Sequence, residues 1–403
     1  MKFAHIADCH IGSWRDPKLK DISGRAFIKA IGLSISKNVD FILISGDLFN
    51  TSIPGIDNLK VVVSKLKQLK EMDIPVYIIA GSHDFSPSGK TMIDVLEEAG
   101  LLVNVVKGEV AENKLKLKFT LDKKTGAKIA GMLGRKGQLE KKYYEDISRE
   151  NLENERGYKI FMFHSAISEL KPKDLEQMES QPISLLPRGF NYYAGGHIHI
   201  VKDATIQGYG TIVYPGPLFP NNFREIEQLK NGGFYIFDDG KLTYEPIVIY
   251  NVESIKVDCT NKTPELVVKE LTEKTKNKEF FNTIVTIRLE GVLESGKPSD
   301  IDFKDIFSKL YNKSAYFVMK NTNALMAKEF ENIQLKADSA ADIEETLIKE
   351  HLGQISIKGY DEKELVKDLI SAMSKEKEEG ERTADFESRL LKDASKIMDI
   401  EEL

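Results

Sequence analysis

The chain has 403 residues, 41% of them hydrophobic and 30% charged, which is long enough for two or three domains with separate cores. No run approaches the ~20 apolar residues of a membrane span, the N-terminus Met1-Lys2-Phe3-Ala4-His5-Ile6-Ala7-Asp8 has no signal-like apolar core, and the two cysteines, Cys9 and Cys259, fit a reducing cytosol rather than a disulfide framework. The net charge of −6 is unevenly spread. Residues 341–403 hold 18 acids and 10 bases, so the first 340 carry 45 acids and 47 bases. Any contact with a polyanion must therefore come from local basic patches.

In chain order, Lys2–Ala7, Phe41–Ser45 and Val76–Ala80 read as buried strands bounded by Gly, Asp or Pro. Helical spacing appears between and after them, in Leu59, Val62, Val63, Leu66 and Leu69, and in Met92, Ile93, Val95, Leu96 and Ala99. Further strands are predicted at Lys159–Phe163, Tyr192–Gly195, Ile212–Tyr214, Gly233–Phe237 and Glu245–Ile249, closing a layered α/β domain near residue 250. A smaller α+β pattern follows: strand Ser254–Asp258, helix Pro264–Thr275, strand Asn282–Leu289, helix Phe303–Leu310 and strand Ala315–Met319. From about Lys336 the pattern is helical, with two apolar stripes, Leu365-Leu369-Ile370-Met373 and Phe386-Leu390-Leu391-Ala394-Ile397-Met398. A charged connector at 374–381 separates them, and Thr383 is an expected N-cap. Such a hairpin cannot bury both stripes by itself and is expected to dock on something.

Five of the seven histidines fall in short clusters at the ends of these strands: Asp8-Cys9-His10, Gly46-Asp47, Gly81-Ser82-His83-Asp84, His164 and Gly196-His197-Ile198-His199. Asp-x-His and His-x-His at a strand end would set two side chains on one face, since strand side chains alternate. Gly46 would let the backbone turn so that the Asp47 carboxylate can bridge two cations. Mixed carboxylate and imidazole donors suit Mn²⁺, Fe²⁺ or Zn²⁺ better than Mg²⁺ or Ca²⁺. His5, inside the first strand, is expected in the core, and His351, in the helical tail, in solvent.

The series D-x-H, G-D, G-x-H-D, H and G-H-x-H over residues 8–199 resembles the calcineurin-like metallophosphoesterases. Within them the chain is most similar to the family of the DNA double-strand-break repair nucleases Mre-eleven and SbcD. Gly46-Asp47-Leu48-Phe49-Asn50 lacks the Asp-Arg-Gly of protein phosphatases. Tyr214-Pro215-Gly216-Pro217-Leu218 is similar to the family's Pro-Gly-Ser loop, and a small cap and a helical hairpin follow in the family's order. The resemblance implies a four-layer αββα sandwich (1–250), an α+β DNA-capping domain (251–335) and a linker with a helical segment (336–403). That segment would bind a coiled-coil ABC-type ATPase of the Rad-fifty/SbcC family.

It also implies two Mn²⁺ ions per subunit. Asp8, His10, Asp47 and His199 would hold the first, and Asp47 would bridge to a second held by His164 and His197. His83, oriented by Asp84, would be the transition-state residue. Ser82 stands where the superfamily has an asparagine ligand; it would ligate directly, act through a water, or leave a weakened second site. The implied activity is Mn²⁺-dependent single-strand endonuclease and 3′–5′ exonuclease cleavage of DNA without sequence preference. The implied setting is a cytoplasmic, nucleoid-associated homodimer paired through helices near 55–100. The segment Trp14-Arg15-Asp16-Pro17-Lys18-Leu19-Lys20 would either bring cations and an aromatic to the DNA or be a solvated basic loop. The alternatives are another phosphodiesterase or phosphatase on the same scaffold, or a non-catalytic DNA-binding scaffold with Ser82 marking a degenerate site.

Overall fold

The structure is a computed structural model describing residues 1–85, 89–111, 113–135, 139–328, 348, 360–375 and 383–398, and it divides into two compact units, Met1–Val252 and Glu253–Leu403. His351, the segment from Lys336 to residue 347 and most of the charged connector lie outside the described residues. Among the described residues no helix is long and apolar enough to cross a membrane.

The first unit opens with β1 (Lys2–Ile6), α1 (Ile22–Ser36), β2 (Phe41–Ser45), α2 (Ile56–Glu71), β3 (Val76–Ile79), α3 (Met92–Glu98) and β4 (Val103–Asn104). A short hairpin, β5 (Gly108–Ala111) and β6 (Lys114–Leu117), leads to β7 (Thr120–Leu121), β8 (Lys128–Gly131), α4 (Leu139–Glu145), α5 (Glu150–Glu153) and β9 (Lys159–His164). Then come β10 (Tyr192–Gly196), β11 (Lys202–Thr205), β12 (Thr211–Tyr214), α6 (Phe223–Leu229), β13 (Gly232–Asp238) and β14 (Lys241–Ile247). These strands form two six-stranded sheets, ordered β14-β13-β1-β2-β3-β4 and β11-β12-β10-β9-β8-β7. β1 to β4 run parallel, as do β8, β9, β10 and β12, while the remaining outer strands pair antiparallel. Parallel strands bring their carboxyl ends to one edge, which is where α/β folds gather ligands.

The runs FILIS, VYII and KIFMFH are buried at every position because both faces of each sheet are covered. Phe3, Phe41, Leu43, Tyr77 and Ile79 of the first sheet meet Ile129, Ile160, Met162, Tyr192 and Val213 of the second in one core between the sheets. Phe3 is its centre: it stacks on Phe41 (5.0 Å) and Phe237 (4.8 Å) and meets the edge of Tyr192 (5.0 Å). On the far face of the second sheet, Phe161, Phe163, Tyr193 and Tyr214 pack with Tyr144, Leu152, Ile167 and Leu186. On the first sheet's side, α1 buries Ala26, Phe27, Ala30 and Ile31, and α2 buries Val62, Leu66 and Leu69. The result is a helix–sheet–sheet–helix stack.

Several elements of this unit go beyond or differ from the expected ones, including the short strands β4, β7, β8 and β11 and the helices α4, α5 and α6. No helix is predicted between the first two strands, because Gly24, Gly32, Ser23 and Ser34 break up the apolar stripe of α1. The last strand of the unit begins at Lys241 rather than Glu245. The turn Asp239-Gly240 has positive φ at both residues and fixes a two-residue hairpin with β13. Polar residues in the β5–β6 hairpin hide its strand pattern.

The second unit has a three-stranded sheet, β15 (Asn251–Asp258), β16 (Thr283–Leu293) and β17 (Ala315–Ala327), covered by α7 (Pro264–Thr275) and α8 (Phe303–Asn312). β17 runs well past the predicted Met319 because its pairing with β16 resumes after an irregularity between Arg288 and Glu290. The chain ends in α9 (Glu362–Met373), N-capped by Asp361, and α10 (Thr383–Ile397), joined by a Lys375–Asp393 ion pair of 2.7 Å. The Thr383 side chain lies outside what the structure describes.

Deleting the ring that joins both sheets tests this architecture. Phe3→Ala is expected to cost about 3–5 kcal/mol, read as a lowered urea midpoint of the metal-free protein. A loss below about 1 kcal/mol would mean that the sheets are not held by this core.

Candidate metal centre

Asp8 and His10 follow β1, Asp47 follows β2, Ser82, His83 and Asp84 follow β3, His164 ends β9, and His197 and His199 follow β10. Strand alternation is not what sets their directions. β1 stops at Ile6 and β10 at Gly196, and Asp8 (φ 50°), His10 (φ 40°), Asp47 (φ 51°) and His197 (φ 92°) adopt left-handed backbone. Each such residue costs about 1–3 kcal/mol unless its surroundings enforce it. The enforcement is hydrogen bonding that continues past the strands: Asp8 N–H to Gly46 O (3.2 Å), His10 N–H to Asp47 O (2.9 Å) and Ile11 N–H to Leu48 O (3.1 Å). Gly46, at φ +87°, has no room for a Cβ, which would overlap the His164 ring.

The functional atoms converge. Asp47 Oδ2 lies 3.2 Å from His164 Nε2, 3.5 Å from His10 Nε2 and 3.5 Å from Ser82 Oγ. His10 Nε2 is 3.1 Å from His199 Nε2, which is 3.8 Å from Asp8 Oδ1. Three sets, Asp8-His10-His199, Asp8-Asp47-His164 and His10-Asp47-His83, each bring ligand atoms within 4.8 Å of one another. His197 belongs to none of these sets. Its backbone N–H donates to the Asp8 carboxylate (3.0 Å), and its ring stands 5.2 Å from that of His164. His10, Asp47, Ser82, His83, His197 and His199 line one cleft of about 380 Å³, with Arg224 and Glu225 of α6 on its wall.

Each ring's outer nitrogen decides what its inner nitrogen can do. His164 Nδ1–H donates to Ser45 O (2.8 Å), leaving the buried Nε2 to face the Asp47 carboxylate at 3.2 Å. His199 Nδ1–H donates to the Glu225 carboxylate (2.9 Å). Behind His164, the Ser45 hydroxyl donates to Ala194 O (3.0 Å), so it accepts from His5 Nε2–H (3.0 Å), and His5 Nδ1 accepts from the Tyr192 hydroxyl (3.0 Å). Burial lowers the His5 pKa to about 3, keeping this core histidine neutral.

Burial also lowers the pKa of His10 and of His197 to about 3. It works the same way on His164, but the Asp47 carboxylate outweighs it and raises that pKa to about 10. Burial likewise opposes the charge on His199, and the hydrogen bond to Glu225 overcomes it, raising the pKa to about 8. Asp47 itself is held far below the usual carboxylate range, its desolvation being outweighed by His164 and His10.

One expectation needs correction. His83 is not oriented by Asp84. Its Nδ1 bonds Asn50 O (2.9 Å) and its backbone N–H bonds Asp47 Oδ1 (2.8 Å). Asp84 instead accepts the N–H groups of Gly81 (2.9 Å), Phe49 (3.2 Å) and Leu48 (3.4 Å), tying the β2 and β3 loops together. In the basic loop, the half-buried Trp14 spends its indole N–H on Pro220 O (3.0 Å), and Leu19 is buried, while Arg15 and Lys20 are exposed. Glu225 is absent from the sequence reading because Asn222-x-x-Glu225 has the spacing of a helix N-terminus, which explains it without a site.

The donor set fits divalent cations. Two buried carboxylates and several imidazoles converge, with the buried His164 Nε2 facing Asp47 Oδ2 at 3.2 Å and His10 Nε2 at 3.5 Å from the same oxygen. At pH 7 a cation must displace protons from His164 and His199. Mn²⁺ binding is therefore expected to release protons and to tighten as pH rises from about 7 to about 9. Calorimetry in two buffers of different ionisation enthalpy reads the proton count, and binding without proton release would contradict the assigned charge states.

Residues 1–201 match the family model described as calcineurin-like phosphoesterase. Among curated proteins, the chain is 27% identical over 84% of its length to a DNA double-strand break repair protein Mre11 of Archaeoglobus fulgidus, covering 77% of that protein. It is 29% identical over 87% of its length to the Methanococcus maripaludis protein of the same name, covering 89% of it. It is 27% identical over 94% of its length to that of Sulfolobus acidocaldarius, covering 97%. The matched residues contain both sheets' parallel strands through β10 and every residue of the converging donor sets, and the chain belongs to the calcineurin-like phosphoesterases.

Proposed function

We propose that this chain is a Mn²⁺-dependent DNA nuclease of double-strand-break repair, acting as a single-strand endonuclease and 3′–5′ exonuclease. The observation that carries this reading is the convergence of Asp8, Asp47, His10, His164 and His199, of which His10, Asp47 and His199 line the cleft and Asp8 and His164 lie buried beside them. Similarity to relatives named DNA double-strand break repair proteins, over most of the chain, supports DNA as the substrate. Asp8, His10, Asp47 and His199 would hold the first cation, and Asp47, His164, His197 and Ser82 the second. The Ser82 hydroxyl, 3.5 Å from Asp47 Oδ2, is short and neutral, and it would ligate the second cation directly, act through a water, or leave that site the weaker one. A pair of divalent cations supplies Lewis-acid stabilisation of charge on a phosphodiester and lowers the pKa of water.

His83 supplies the remaining chemistry. With Nδ1 fixed on Asn50 O, its Nε2 is left for the cleft, where it protonates the leaving sugar oxygen or stabilises charge on the phosphate. His83→Ala is expected to retain Mn²⁺ binding and to cleave circular single-stranded DNA roughly 10²–10⁴-fold more slowly. EDTA should abolish cleavage by the wild type. Undiminished cleavage by the variant would remove His83 from the mechanism, and cleavage in EDTA would remove the metals. DNA binding without cleavage under Mn²⁺ or Mg²⁺ would favour the scaffold reading that Ser82 raises.

Residues 1–250 form the nuclease domain in this reading, 251–335 a cap that helps select DNA ends, and 336–403 the segment that binds the partner ATPase. The terminal helices leave apolar surface exposed, with Met373 65% and Leu391 67% accessible. That surface suits docking on a coiled coil of the Rad-fifty/SbcC type. Homodimerisation through the α2 and α3 region is supported by Ile53 and Ile56, each 78% exposed, and by Val95. Removing residues 360–403 should abolish copurification with the ATPase and leave Mn²⁺-dependent cleavage of single-stranded DNA intact. Retained copurification would place the partner surface elsewhere.

A further inference from the structure

We propose that Glu225 is a positioning residue of the metal centre: its carboxylate accepts the hydrogen bond of His199 Nδ1–H and so turns Nε2 of that ring towards Asp8 and His10. The inference rests on the metal-binding reading above and adds a residue to it from outside the histidine and aspartate motifs.

The Glu225 carboxylate is itself fixed. Oε2 accepts the backbone N–H of Asn221 (2.8 Å), and Oε1 accepts both His199 Nδ1–H (2.9 Å) and the Asn222 side-chain amide. The same amide's oxygen accepts Glu225 N–H (3.0 Å), so Asn222 grips the residue by backbone and side chain together. The loop leading into α6 is anchored in turn, by Trp14 Nε1–H to Pro220 O (3.0 Å) and Gly233 N–H to Pro217 O (3.2 Å). The carboxylate therefore cannot swing to follow a misplaced imidazole; the imidazole must follow it.

The other two rings with a settled outer contact lean on neutral backbone carbonyls, His164 on Ser45 O and His83 on Asn50 O. Among the described residues His199 is the candidate ligand whose outer nitrogen meets a carboxylate. A charged acceptor makes the opposite nitrogen a stronger donor than a carbonyl does, and loss of such a partner characteristically weakens metal affinity about 10–100-fold. The asymmetry predicts an effect on one site only: the cation shared by Asp8, His10 and His199 depends on Glu225, whereas one held near Asp47 and His164 does not.

The test is Mn²⁺ calorimetry on the full chain, comparing wild type, Glu225→Ala and Glu225→Gln, with thermal midpoints of the metal-free proteins as the folding control. Glu225→Ala should weaken the tighter site about 10–100-fold and leave the other within about threefold. Glu225→Gln keeps an acceptor oxygen without its charge and should fall between. The visible absorption of Co²⁺ at the tighter site should change in both variants. Wild-type affinity in a folded Glu225→Ala protein overturns the proposal, as does an equal loss at both sites, which would signal a displaced helix. Should the alanine variant not fold, Glu225→Gln decides: wild-type affinity and spectrum overturn it. A wild type that binds no Mn²⁺ would instead overturn the metal-centre reading itself.

Discussion

Two carboxylates, Asp8 and Asp47, are buried within a few ångströms of several imidazoles, and the rest of the fold is organised around keeping them there. Burying an isolated carboxylate costs several kcal/mol, and even paired charges recover that only with good geometry and further hydrogen bonds. Asp8 meets the backbone N–H of His197 and the ring of His199, while Asp47 meets the His83 N–H and the rings of His10 and His164. The Asp47 and Glu225 carboxylates favour the protonated forms of His164 and His199, whose protons a cation must displace, while burial keeps His10 and His197 neutral. Left-handed backbone at Asp8, His10, Asp47 and His197 is the conformational cost, and the two sheets behind them sustain it.

The sheets contribute more than rigidity. A row of hydrogen bonds runs from Tyr192 through His5 and Ser45 to Ala194, crossing between β10, β1 and β2 inside an otherwise apolar core. Every donor in it has an acceptor, so a buried polar row that would be costly if broken instead fixes how the two sheets lie against each other. Ser45, within this row, also uses its carbonyl to accept Nδ1–H of His164. The register of the two sheets and the direction of one imidazole lone pair are thus the same structural fact.

The loops divide the remaining work. Asp84 ties the β2 and β3 loops, Asn50 carries His83, and the anchored approach to α6 carries Glu225 to His199. Catalytic and ligating side chains need placement to within fractions of an ångström, and here His83, His164 and His199 are each backed by an atom from a different segment of the chain. Glycine at position 46 belongs to the same economy of space, since the His164 ring occupies the volume that a Cβ would take.

Strands such as β2 and β9 were legible because the runs Phe41–Ile44 and Ile160–Phe163 are apolar on both faces, and helix α7 from its apolar spacing after Pro264, whereas β4, β7, β8 and β11 are too short or too mixed to read. α1, β5–β6 and the far half of β17 were not legible either, since glycine, serine or paired polar residues blur their periodicity. At the candidate site the amino-acid sequence by itself determined the donor chemistry: which carboxylates and imidazoles exist, and that they fall at strand ends. It could not determine which nitrogen of each ring faces inward. That is fixed by acceptors remote in the chain, Ser45 lying 119 residues from His164 and Glu225 lying 26 from His199. Only the tertiary structure brings such atoms within hydrogen-bond reach, and a tautomer is decided by a contact, not by a residue type.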